Sequence, residues 1–114
     1  MFTVTSALRV LVATTPVDLR GSFNRLHLLV VEQLQADPLS GHLFVFTNRR
    51  RNRLKVLYWD GSGLWVCAKR LERGKFTWPV SDLRHVRLRS EEFSALIHGL
   101  VVQAKAGWYR RESD

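Results

Sequence analysis

Residues 40–79 carry three apolar, strand-like runs cut first by Asn48-Arg49-Arg50-Arg51-Asn52 and then by Asp60-Gly61-Ser62-Gly63. Runs rich in Val, Phe, Tyr and Trp fit a pleated, half-buried surface, and Asn, Asp and Gly between them supply the backbone freedom that tight turns need. The stretch predicts a three-stranded antiparallel meander, which the rest of the chain must extend or cover.

The meander can be phased from the parity of its loops. A two- or four-residue loop over residues 60–63 puts Leu54, Val56, Tyr58, Trp65 and Cys67 on one side. Arg53, Lys55, Leu57, Trp59, Leu64, Val66 and Arg70 then share the other. A five-residue first loop over residues 48–52 adds Phe44 and Phe46 to the first side, the expected core face. The second side is expected to be mixed, with cations around Leu57, Trp59 and Leu64, and to serve polyanion binding or a homodimer contact.

Elements on either side extend the sheet. Residues 8–13 read as a buried strand, and residues 86–89 alternate like a further one, with both arginines on one face. Between residues 19 and 35, Leu19, Phe23, Leu26, Val30 and Leu34 recur at helical spacing, widened by Leu28 and Val31. Asp18 is placed to cap that helix, Gly21 weakens its start, and Ala36-Asp37-Pro38 stops it. Ser90-Glu91-Glu92 opens a second helix with Phe93, Leu96, Ile97 and Leu100 on its apolar face and Gly99 near its end. Phe76 and Trp78 anchor the basic loop over residues 69–79.

The expected fold is α+β: a small antiparallel sheet, the meander plus one or two further strands, packed against an N-terminal and a C-terminal helix. A single domain spans residues 1–100, and residues 101–114 form a polar, poorly ordered tail.

The chain has 114 residues and a formal net charge of +8, and 12 of its 18 lysines and arginines fall between residues 49 and 89 against three acids. That concentration favours a polyanionic partner. The single cysteine, Cys67, excludes an internal disulfide and a cysteine-based zinc site. The four histidines show no metal-ligand spacing, and no phosphate-binding, dinucleotide or nucleophile-elbow motif is present. No cofactor, metal or catalytic constellation is therefore expected. The apolar runs are far shorter than the roughly 20 residues of a membrane span, so the expectation is a soluble, cytoplasmic protein.

Four ordered blocks carry a family resemblance: Val17-Asp18-Leu19-Arg20, residues 37–46 (DPLSGHLFVF), residues 53–60 (RLKVLYWD) and residues 69–79 (KRLERGKFxWP). They resemble the small TnpB-type accessory protein encoded by the second reading frame of insertion sequence 66 transposons, over about residues 9–100. The resemblance implies a non-enzymatic accessory factor of DNA transposition working beside a separate transposase. Where that family usually has Lys-Gly or Lys-Ser, this chain has Gly21-Ser22, so one cation is missing. The candidate nucleic-acid contacts are Arg49, Arg50, Arg51, Arg53, Lys55, Lys69, Arg70, Arg73 and Lys75, with Trp59 stacking on a base or sugar. The alternative is a small basic RNA-binding protein or ribonuclease-like toxin using His42, His85 and Arg70.

Overall fold

A computed structural model describes residues 8–99. In chain order the elements are β1 (Val10–Ala13), α1 (Phe23–Glu32), β2 (Leu43–Thr47), β3 (Arg53–Trp59), β4 (Leu64–Arg70), β5 (His85–Leu88) and α2 (Ser90–Ile97). They build one five-stranded sheet in the order β4-β3-β2-β1-β5. The meander β2-β3-β4 is antiparallel, as is the β1–β5 pair, and β1 runs parallel to β2. The parallel pair requires a crossover, which α1 supplies.

Every residue of β1 and β2 is buried, because both faces of the sheet are covered. On one face Val10, Val12, Leu43, Val45, Leu54, Val56, Val86 and Leu88 meet α2 and the β4–β5 connection through Phe76, Trp78, Phe93 and Leu96. On the other, Leu11, Phe44, Phe46 and Leu57 meet Leu26, Leu29 and Val30 of α1, with Leu19 and Leu34 flanking. Strands buried on both sides carry no polar alternation from which a phase could be read.

The first hairpin therefore departs from expectation. Thr47 pairs with Leu54, and Asn48 N donates to Arg53 O at 3.4 Å. The loop is even, and Phe44 and Phe46 lie with Leu57 and Lys55 on the α1 face, not with Leu54 and Val56. The second hairpin is phased as expected, with Tyr58 opposite Trp65 and Val56 opposite Cys67. Asp60 clamps its turn: Oδ1 accepts from Ser62 N at 2.8 Å and Gly63 N at 2.9 Å, and Oδ2 from Trp65 Nε1 at 2.8 Å. The Trp65 indole first, then these turn amides, hold the Asp60 carboxyl well below the usual carboxylate range.

Helix α1 starts later than its periodicity suggests. Asp18 is not its cap: Ser22 occupies that position, and Gly21 sits outside the helix at φ +88°. A Cβ at residue 21 would lie 3.1 Å from Arg25 Cβ, so both conformation and space favour glycine. The buried face is Leu26, Leu29 and Val30, whereas Phe23, Leu28 and Val31 are 44–47% exposed. Ser90 is likewise inside α2, whose N-cap is Arg89, and Glu92 Oε1 accepts from Arg89 N at 2.8 Å. Gly99 follows the helix at φ +69°, the left-handed turn that ends many helices. Leu100 and the expected tail lie outside the described residues.

The anchors of the β4–β5 connection are core residues. Phe76 and Trp78 are 2% and 3% exposed and pack edge to face at 6.4 Å between ring centroids. Trp78 Nε1 donates to Ala13 O at 2.8 Å, tying the connection to the end of β1, an interior strand.

Candidate nucleic-acid interface

The sheet end at which β2 and β4 finish and β3 begins is the most cationic part of the fold. Its centre is the tip over residues 48–52, which Asn48 shapes from within. Asn48 Oδ1 accepts from Asn52 N and Arg53 N, both at 3.1 Å, and Nδ2 donates to Asn52 Oδ1 at 2.8 Å. Arg51 takes φ +58°, and its carbonyl accepts from Phe76 N at 2.7 Å, while Asn52 O accepts from Leu71 N at 2.8 Å. With the backbone held at both ends, Arg49 and Arg50 project into solvent and Arg51 lies half-buried against the connection. Replacing Asn48 with alanine strips the internal partners of two amides. Expected is a loss of about 1–3 kcal/mol in urea unfolding, with less than a tenfold effect on any polyanion affinity, because every cation survives.

A second wall comes from residues 16–20. Val17 N donates to Thr47 O at 2.9 Å, and Lys55 Nζ, reaching up from the sheet, donates to Leu19 O and Gly21 O, both at 2.7 Å. Lys55 thus lays its stem under α1 and uses its ammonium to hold this arm. On the arm, Asp18 Oδ1 accepts from Arg20 N at 2.9 Å, and its carboxylate grips the Arg20 guanidinium at 2.6 Å. The side-chain bond to Arg20 is the main reason the Asp18 carboxyl is lowered from 3.8 to about 2. Because the folded value is depressed, this pair's contribution is present above about pH 4 and lost as pH falls from about 4 to 2. NMR titration of the Asp18 carboxyl should give a midpoint of about 2, returning towards 3.8 in Arg20→Ala.

Between the arm, the tip and the end of β4 lies an open groove of about 950 Å³. Arg20, Arg49, Arg50, Arg53, Lys55, Lys69 and Arg70 line it against the carboxylates of Asp18 and Glu72. Arg70 is paired with Glu72 at 3.1 Å. Among the described residues, Arg49, Arg50, Arg51, Arg53, Arg73 and Lys75 form no ion pair. Arg73 and Lys75 are exposed in the connection that hydrogen-bonds to the tip, outside the groove. Lys69 is turned to the α2 face, where Nζ donates to Ile97 O at 2.6 Å.

Trp59 lies at the opposite end of β3 from Arg53, about 20 Å along the strand, and cannot stack on anything held in the groove. The side expected to be open is roofed by α1, and Leu57, proposed there for a dimer contact, is fully buried. His42, whose Nδ1 accepts from Arg9 N at 3.2 Å, sits by the start of β1. His85, opposite Ala13, and Arg70 lie at the other end of the sheet, on its β5 and β4 edges. The three candidates for RNA cleavage are not brought together. Arg20 was missed as a lining residue because Asp18 was spent on a helix cap; the Asp-x-Arg spacing followed by glycine was the available signal.

Among the described residues no group of three or more His, Cys, Asp or Glu side chains is placed to hold a metal ion, and no helix is long and apolar enough to cross a membrane. Fold and site together define a small α+β protein with a cationic groove at one end of its sheet. The chain belongs to the IS66 Orf2 like protein family, which matches residues 8–106, and with it goes an accessory role in insertion-sequence transposition. It is 47% identical over 93 residues to the uncharacterized protein y4jC of Sinorhizobium fredii, covering 82% of this chain and 80% of that protein. It is also 40% identical over 92 residues to the uncharacterized protein y4hO of the same organism, covering 81% and 80%. No solved structure matches the chain.

Proposed function

We propose that this protein assists transposition without catalysis of its own, by gripping the sugar-phosphate backbone of DNA in the groove between the arm and the hairpin tip. The observation that carries the reading is the convergence there of cations from three separate segments onto one concave surface. Arg49, Arg50 and Arg53 are the primary contacts, having no carboxylate partner among the described residues. Arg73 and Lys75 extend the positive surface beyond the tip. Guanidinium groups suit phosphate oxygens through paired hydrogen bonds, and contacts of this kind supply affinity with little sequence information. The transposase of the same element is the expected protein partner, and recovery of both proteins from nuclease-treated extract tests that association.

The test of DNA contact is a salt titration with short duplex DNA. If the groove engages about four phosphates, log K falls against log salt with a slope of about −3.6. Absence of a complex at low salt would remove the direct-contact reading. Labelled RNA incubated with the protein should remain intact.

A further inference from the structure

We infer that the outer edge of β4 pairs with the β4 edge of a second copy of this chain, antiparallel and centred on Cys67. This rests on the sheet edge and stands apart from the groove. The seven-residue strand is at one edge of the sheet and, among the described residues, pairs with β3 alone. Two hydrogen bonds give the phase of its outward-facing backbone groups: Asp60 N to Gly63 O at 3.1 Å and Leu71 N to Asn52 O at 2.8 Å. Both belong to the β3–β4 register, in which Arg53 faces Arg70. Hydrogen-bonded pairs alternate along an antiparallel ladder, so Trp65, Cys67 and Lys69 bond inward to β3. The amides and carbonyls of Leu64, Val66, Ala68 and Arg70 consequently point away from the sheet.

Natural sheets blunt such an edge with proline, a bulge, central charges or shortness. The β5 edge is only four residues long, whereas β4 reads Leu-Trp-Val-Cys-Ala before its first cation. What favours a copy of itself is the charge pattern. Antiparallel pairing about Cys67 sets Leu64 against Arg70 and Val66 against Ala68 in hydrogen-bonded positions, and Trp65 against Lys69 in the closer non-bonded ones. No cation meets a cation, and all seven residues are used. Trp65, 51% exposed, is covered by the Lys69 stem of the second copy, whose ammonium can stay on its Ile97 carbonyl. The two Cys67 residues meet at the dyad as a non-bonded pair, with Cα atoms about 4.5 Å apart, inside the range a disulfide spans.

The experiment uses the whole chain without nucleic acid. In sedimentation the mass should double as concentration rises, and diamide, which accepts the two hydrogens of a thiol pair, should give a Cys67-linked dimer. Cys67→Ser should lose the link and keep the doubling. Ala68→Pro removes one outward N–H and no bond to β3, and should reduce both dimer and cross-link more than tenfold. Leu64→Lys, which puts a cation against Arg70 of the second copy, should do the same without altering the backbone. A monomer at every concentration, equal dimer in both variants, or slow exchange of the Val66 and Ala68 amides in a monomer, meaning that the chain covers its own edge, would each overturn the inference.

Discussion

Replacing Trp78 with alanine is expected to cost about 3–5 kcal/mol, a large share of the roughly 5–15 kcal/mol that holds a domain of this size together. The residue is 3% exposed and its indole donates to the carbonyl of Ala13 in the interior strand β1. The substitution therefore opens a cavity against Phe76 and leaves a buried acceptor without its partner. In thermal unfolding the midpoint should fall by at least about 12 °C. Trp78→Phe, which keeps a buried aromatic ring but loses three ring atoms together with the N–H, should cost less, about 2–3 kcal/mol. A Trp78→Ala protein melting within about 3 °C of the parent would mean that the β4–β5 connection is no part of the core.

The largest functional effect belongs to Arg49, Arg50 and Arg53. Changing all three to alanine should weaken binding to duplex DNA by about 100- to 1,000-fold at 0.1 M salt and reduce the magnitude of the salt slope by about 2.7. Fold should be unaffected, since Asn48 and the backbone bonds of the tip are kept. Arg84→Ala, an exposed cation outside the groove lining, is the control and should change affinity less than about threefold. Equal losses in control and triple variant would reduce the interaction to net charge. Lys55 is a poor choice for the same experiment, because its ammonium holds the carbonyls of Leu19 and Gly21 and its removal disturbs the groove wall as well as the charge.

The meander was legible because its turns are written in Asn, Asp and Gly between β-branched and aromatic residues, and Asp60 does the work its position suggests. The family, the two helices and the anchoring by Phe76 and Trp78 were equally open to reading. Facing was not. Phe44 and Phe46 belong to a strand buried throughout, where alternation carries no information, so one miscounted loop residue turned both to the wrong side. Lys55 read as a surface cation because its charge is visible in the sequence, whereas the carbonyls it serves come from residues more than 30 positions earlier. The groove itself escaped notice for a related reason. Its second wall depends on Gly21 breaking the helix and freeing Asp18 to fold back on Arg20, a local event that helical periodicity over residues 19–35 conceals.

The position of β1 sets a timetable for synthesis. It is made first yet lies between β2 and β5, and Val10 pairs with Leu88, nearly 80 residues on. At about 5–20 residues per second a ribosome needs about 4–15 s to deliver that partner. Once β2 has followed, and until β5 arrives, β1 has only β2 to pair with, and the layer completed by Val86, Leu88, Phe93 and Leu96 is still to come. A chain halted before residue 88 should therefore be a chaperone client, and delivery of β5 and α2 should end that dependence.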